Sequence, residues 1–164
     1  MGFIDSSPEA NMPVFYNLVH AVGKQCPNMK DDTKLVQYLL SAFYERALTV
    51  STIYTRPQGD MTVDGICGPI TNNWILKFQL DVNQRYPNTT PTDNRVDRIR
   101  NKNMIGSISQ IGYTLAILNR FTAKVNPDAY VALPKYVQLQ NPENVPPPSY
   151  DMIRDISVPE SGGY

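Results

Sequence analysis

The chain has 164 residues, 41% of them hydrophobic, and a formal net charge of zero. That length suits one domain of ordinary size with some chain left over, and the neutral balance excludes a general attraction for nucleic acid or an anionic membrane surface. Two cysteines, Cys26 and Cys67, with one histidine, His20, exclude a disulfide framework and leave a zinc site short of ligands unless carboxylates complete it.

Residues 1–30 read as an irregular arm, interrupted by Pro8, Pro13 and Pro27 and loosened by Gly23. Met1 to Asn11 holds no apolar run of signal-peptide length, so no export is expected. Within the arm, Val14 to Val19 is a short apolar run suited to a strand or an extended segment. The first strong helix is predicted from Asp31 or Asp32, whose carboxylates suit the orphan N–H groups and the dipole of a first turn. Val36, Leu39, Leu40, Phe43 and Ala47 then recur at helical spacing, and the β-branched run after Leu48 predicts the end.

A loop with Pro57, Gly59 and Asp60 leads into Asp64-Gly65-Ile66-Cys67-Gly68-Pro69, a tight turn with a proline suited to the first position of a helix. Ile70, Trp74, Ile75, Phe78 and Val82 give that second helix its apolar face. The polar stretch from Gln84 to Asn103 predicts a long loop with a short strand around Arg95-Val96-Asp97. A third helix is predicted from Ser107 to about Thr122, capped by Ser107 or Ser109, with Ile108, Ile111, Leu115, Leu118 and Phe121 inward. Gly112 inside it costs about 1 kcal/mol relative to alanine. After Asn126 half of the prolines of the chain occur, including Pro146, Pro147 and Pro148. They predict an extended tail that wraps its own domain or a partner. No stretch approaches ~18 apolar residues, so no membrane span is expected.

The sixteen residues from Asp64 to Gln79 follow the pattern D-G-x-F-G-P-x-T-x-x-A-V-x-x-F-Q, with Cys67 in place of the phenylalanine and Trp74 in place of the alanine. Leu35-Val36-Gln37-Tyr38-Leu39-Leu40 follows the helix that precedes it. On these residues the chain resembles the peptidoglycan-binding-like family. Asn94 to Asp97 and Tyr113 to Asn119 extend the likeness. The resemblance implies a mainly α fold: a small three-helix domain over residues 31–125, with the arm before it and the extended Pro-rich tail over 126–164. It also implies Asp64, Gly65, Gly68, Thr71, Trp74 and Gln79 as residues contacting peptidoglycan or a partner. Their chemistry alone reads as turn and cap: Asp64 bonding local N–H groups, Thr71 returning to the backbone, Gln79 tying its helix to a loop, Trp74 in the core.

No catalytic group is expected. One histidine excludes a His-rich zinc hydrolase, no motif flanks Cys26, Cys67 or His20 as a nucleophilic pair, and no phosphate loop or dinucleotide fingerprint occurs. No cofactor and no metal are expected, and whether Cys26 and Cys67 are bridged stays open. Pro147-Pro148-Ser149-Tyr150 matches a short Pro-rich ligand motif, and Tyr136, Pro147, Pro148 and Tyr150 are the residues expected to dock the tail. Two functions remain. One is a structural docking protein of a phage or contractile injection particle, assembled in the bacterial cytoplasm from protein subunits and touching cell wall in that service. The other is a peptidoglycan-binding module that targets a partner enzyme or complex to the wall.

Overall fold

The apolar stripe read on the first helix is the axis of the core. The structure is a computed structural model, and it describes residues 1–6, 12, 14–100 and 112–146. The chain is mainly α, with helices α1 (Lys30–Val50), α2 (Pro69–Arg85), α3 (Thr114–Val125) and α4 (Pro127–Ala132). Two small antiparallel pairs accompany them: β1 (Phe3–Asp5) with β2 (Phe15–Asn17), and β3 (Val22–Gly23) with β4 (Arg95–Val96). The register sets Ile4 opposite Tyr16 and Val22 opposite Val96. None of the described helices is long and apolar enough to cross a membrane.

Leu35, Val36, Leu39, Phe43 and Ala47 of α1 are buried against Ile75 and Phe78 of α2 and Leu115 and Leu118 of α3. Phe43 is the aromatic centre, edge-on to Tyr44, Tyr54 and Phe78 with centroids 5.0–5.4 Å apart. Edge-to-face pairs of this kind add to the area they bury. Thr122 and Asn126 then donate side-chain hydrogen bonds to the Leu39 and Ala42 carbonyls, tying α3 to α1.

Several expectations need correction. Helix α1 runs on through Thr49 and Val50, because its inward stripe outweighs the weak local propensity of β-branched residues. Asp32 does not cap its own helix. It is fully buried, and its carboxylate accepts the backbone N–H groups of Val19 and His20, fastening the arm to α1. Gly112 lies ahead of α3, where its N–H donates to the Thr89 carbonyl at 2.8 Å, so the mid-helix penalty does not arise. Ser107, Ser109, Ile108 and Ile111 lie outside the described residues.

The arm and the first part of the tail enter the same core. Phe15, Tyr16, Leu18 and Val22 are buried, as are Tyr130, Leu133 and Val137. The described part of the tail is not extended: Pro127 opens the six-residue α4, and 3-10 turns follow at Leu133–Lys135 and Pro142–Asn144. A proline in a first turn removes only an N–H that has no partner there, so these prolines start short helices. Buried amides hold the irregular pieces. Asn119 of α3 bonds both the N–H and the carbonyl of Tyr16, at 3.0 Å each, and Asn17 bonds both backbone groups of Ile99. Each side-chain amide thus takes the place of a neighbouring strand.

Candidate functional site

The motif residues gather around one buried side chain, Gln37 of α1. Its amide nitrogen lies 3.0–3.1 Å from Asp64 Oδ1, the Ile66 carbonyl and Thr71 Oγ1. Its carbonyl oxygen accepts the Gly65 N–H at 2.8 Å. Asp64 Oδ1 also accepts the Ile66 N–H, and the Thr71 hydroxyl donates to the Ile66 carbonyl. Gly65 is required twice over. Its φ is +82°, and a Cβ there would stand 2.7 Å from the Lys30 carbonyl oxygen. The N–H of Ile66, together with the Gln37 amide and the Thr62 hydroxyl, holds the Asp64 carboxyl below its ordinary value.

Around this knot lies a shallow cleft of about 190 Å³, lined by Met61, Asp64, Ile66, Gly68, Ile70 and Thr71 among others. Its rim is mixed: Ile66 is 69% exposed and Ile70 41%, beside the exposed Asp60, Thr62 and Asp64. Gly68 precedes α2, and an added Cβ would meet nothing within 4 Å. Unlike Gly65, it is not demanded by crowding.

Trp74 and Gln79 do not join this group. Trp74 is buried on the inner face of α2, its indole N–H donating to the Gly59 carbonyl at 3.0 Å and its ring edge-on to Tyr44 at 5.6 Å. Gln79 organises a second knot. Its amide nitrogen lies 3.0 Å from Asp93 Oδ1, the Arg95 carbonyl and Thr114 Oγ1, and its carbonyl accepts the Asn94 N–H at 2.9 Å. The correspondence with the first knot is close. Each joins an Asp followed by a left-handed residue, Gly65 at φ +82° or Asn94 at φ +63°. Each ends on a threonine in the first turn of the next helix, 34 residues after Gln37 and 35 after Gln79. The molecule therefore carries one clamp twice. Gln37, Asp93 and Thr114 were not among the expected site residues; the near-equal Gln-to-Thr spacing is the signal that finds them.

Tyr136 is one of the residues expected to dock the tail, on its own domain or on a partner. Its ring stacks on Tyr38 of α1 with centroids 5.6 Å apart, while the Tyr38 hydroxyl donates to the Ala129 carbonyl. The described tail thus packs on its own helix, with Tyr136 still 68% exposed. Pro147, Pro148 and Tyr150 lie outside the described residues. The His20 ring sits 3.4 Å from the buried Asp32 carboxylate. Cys26 and Cys67 are not joined in a disulfide and are half-buried, and burial pushes the Cys67 thiol up. Among the described residues no group of three His, Cys, Asp or Glu side chains could hold a metal ion.

No family model matches the chain, and neither a curated protein nor a solved structure matches it.

Proposed function

We propose that this chain is a non-catalytic docking protein, built on a peptidoglycan-binding-like three-helix unit and serving in a phage or contractile injection particle. The observation that carries the docking reading is the division of labour in the motif. The polar groups of Asp64, Gly65 and Thr71 are bonded to Gln37 or to their own turn. Beside that bonded turn the cleft offers exposed hydrocarbon from Ile66 and Ile70, edged by the exposed carboxylates of Asp60 and Asp64. Exposed aliphatic side chains suit the packed centre of a protein interface, and carboxylates suit its polar rim. A particle supplies such neighbours, and cell-wall contact belongs to that service.

The second reading is a wall-binding module that targets a partner enzyme or complex. It is favoured by the Asp64-to-Gln79 likeness and by the exposed Asp64 carboxylate at the cleft. Sedimentation separates the two. The docking reading expects the tagged chain in the particle band of a density gradient, and Ile66→Asp with Gly68→Leu left in the soluble fraction. Quantitative retention on purified insoluble peptidoglycan, with nothing in the particle band, would overturn it in favour of the second.

A further inference from the structure

A second pocket lies away from the motif, beside the C-terminal turn of α2. It is an open cleft of about 190 Å³, lined by Ile53, Tyr54, Asp81, Gln84 and Arg85. Drug-sized ligands fill roughly 300–1,000 Å³, so this space is matched to a single residue or sugar ring. We propose that it is a binding site for the terminal residue of a peptide bearing a free carboxylate.

Asp81 and Arg85 are one helical turn apart on α2, a spacing of roughly 5–6 Å between side-chain bases. Asp81 is buried; its carboxylate accepts hydrogen bonds from the Tyr44 hydroxyl and the Lys77 ammonium, one on each oxygen. Each oxygen keeps a further lone pair for an incoming donor. Arg85 donates from Nε to the Tyr86 hydroxyl at 3.1 Å, with its guanidinium carbon 5.6 Å from the Tyr86 ring centroid. Among the described residues its two outer nitrogens carry no hydrogen bond, and they form the fork that grips a carboxylate with two parallel bonds. The ligand must therefore present an anion to Arg85 and an N–H to Asp81 a short span away. A chain-terminal amino acid does this with its carboxylate and its own amide N–H. Ile53 and Tyr54 supply the apolar wall for its side chain, and the Tyr54 ring is held edge-on by Phe43 at 5.4 Å. A phosphate fits less well because Asp81 would repel its second charge. A neutral sugar leaves the Arg85 fork without an anion.

The only tryptophan of the chain reports on this pocket, since Trp74 packs edge-on against Tyr44, which donates to Asp81. The test is a titration of the full chain with N-acetyl-alanyl-alanine, followed by Trp74 fluorescence and by amide chemical shifts. A saturable change is expected below 10 mM, on the order of millimolar affinity for so small a ligand. The C-terminal amide of the same dipeptide, and the variant Arg85→Gln with the free acid, should each bind at least about tenfold more weakly. Ile66→Asp, at the other cleft, should bind the dipeptide as the native chain does, so failure of the docking reading and failure of this one are distinguishable. Equal binding of acid and amide, undiminished binding by a folded Arg85→Gln, or no saturation overturns the proposal. Saturation by N-acetylglucosamine but not by the dipeptide overturns it in favour of a sugar site.

Discussion

Gln37 and Gln79 show how much can rest on one uncharged polar side chain. Each satisfies a turn that could not satisfy itself, and each is almost wholly buried. Gln37→Leu removes the partner of the Gly65 N–H and the Thr71 hydroxyl in one step, and a cost of about 2–4 kcal/mol is expected in chemical denaturation. Gly65→Ala should cost at least about 1–3 kcal/mol through its left-handed backbone alone, with the Lys30 contact in addition. Gly68→Ala, by contrast, should stay within about 0.5 kcal/mol. Asp64 makes the first turn acid-sensitive. Its carboxyl is held low in the fold, so its stabilisation is complete above the ordinary value of about 3.9 and is lost as pH falls through the lower folded value. Asp64→Asn should remove that part of the acid limb from a plot of stability against pH. The Asp64-to-Gln79 motif marks Asp64, Gly65 and Thr71 as a group in the sequence, because turn chemistry is local. Gln37 is quoted in the same likeness, but its role depends on a turn 27 residues away.

At the scale of elements, the two strong helices were legible because both signals that mark a helix agreed in them. Apolar spacing and a start signal coincide at α2, where Pro69 opens the helix and Ile75, Phe78 and Val82 face inward. Phe78→Ala is expected to cost about 3–5 kcal/mol, read as a shift in the denaturation midpoint. Helix α3 was legible in its stripe but not in its start, which the tertiary bond from Gly112 to Thr89 decides. The contact between α3 and the arm has its own test. The Tyr130 hydroxyl lies 2.7 Å from Asn119 Oδ1 and 2.9 Å from the Val14 carbonyl. Tyr130→Phe leaves those buried acceptors a partner short and should cost about 1–3 kcal/mol. Tyr16 is buried in the same cluster, its phenol pushed up to about 12 from 10.0, chiefly by burial. A raised acid is held neutral by the fold. This stabilisation is therefore full below pH about 10 and lost as pH rises toward about 12. Alkaline unfolding in that window, flattened in Tyr16→Phe, checks it.

For the molecule as a whole, the arm and the early tail are structural members. Gln140 donates its N–H to the Gly2 carbonyl at 2.7 Å, and Arg98 donates to the Pro146 carbonyl at 3.0 Å, so the two ends of the described chain lie together. A chain stopped after Val125 loses Tyr130, Leu133 and Val137 from the core. It should fail to give a cooperative thermal transition. Docking is therefore better tested with point variants at the cleft than with this truncation, which confounds loss of a partner with loss of the fold.

The sequence by itself determined what short-range chemistry governs: two amphipathic helices, the Asp64-to-Pro69 turn, the short strand at Arg95–Val96 and the mainly α class. Each depends on periodicity, backbone freedom or a local hydrogen bond, all of which are carried by neighbouring residues. Only the tertiary structure decided that Asp32 fastens the arm, that Asn17, Asn119, Gln37 and Gln79 stitch distant backbone, and that the proline-rich stretch from Pro127 folds into the core. Those outcomes depend on which unpaired N–H and carbonyl groups the packed helices bring within reach. An amide side chain reads as an ordinary polar residue in sequence, and it acquires a structural role only when burial takes its water away.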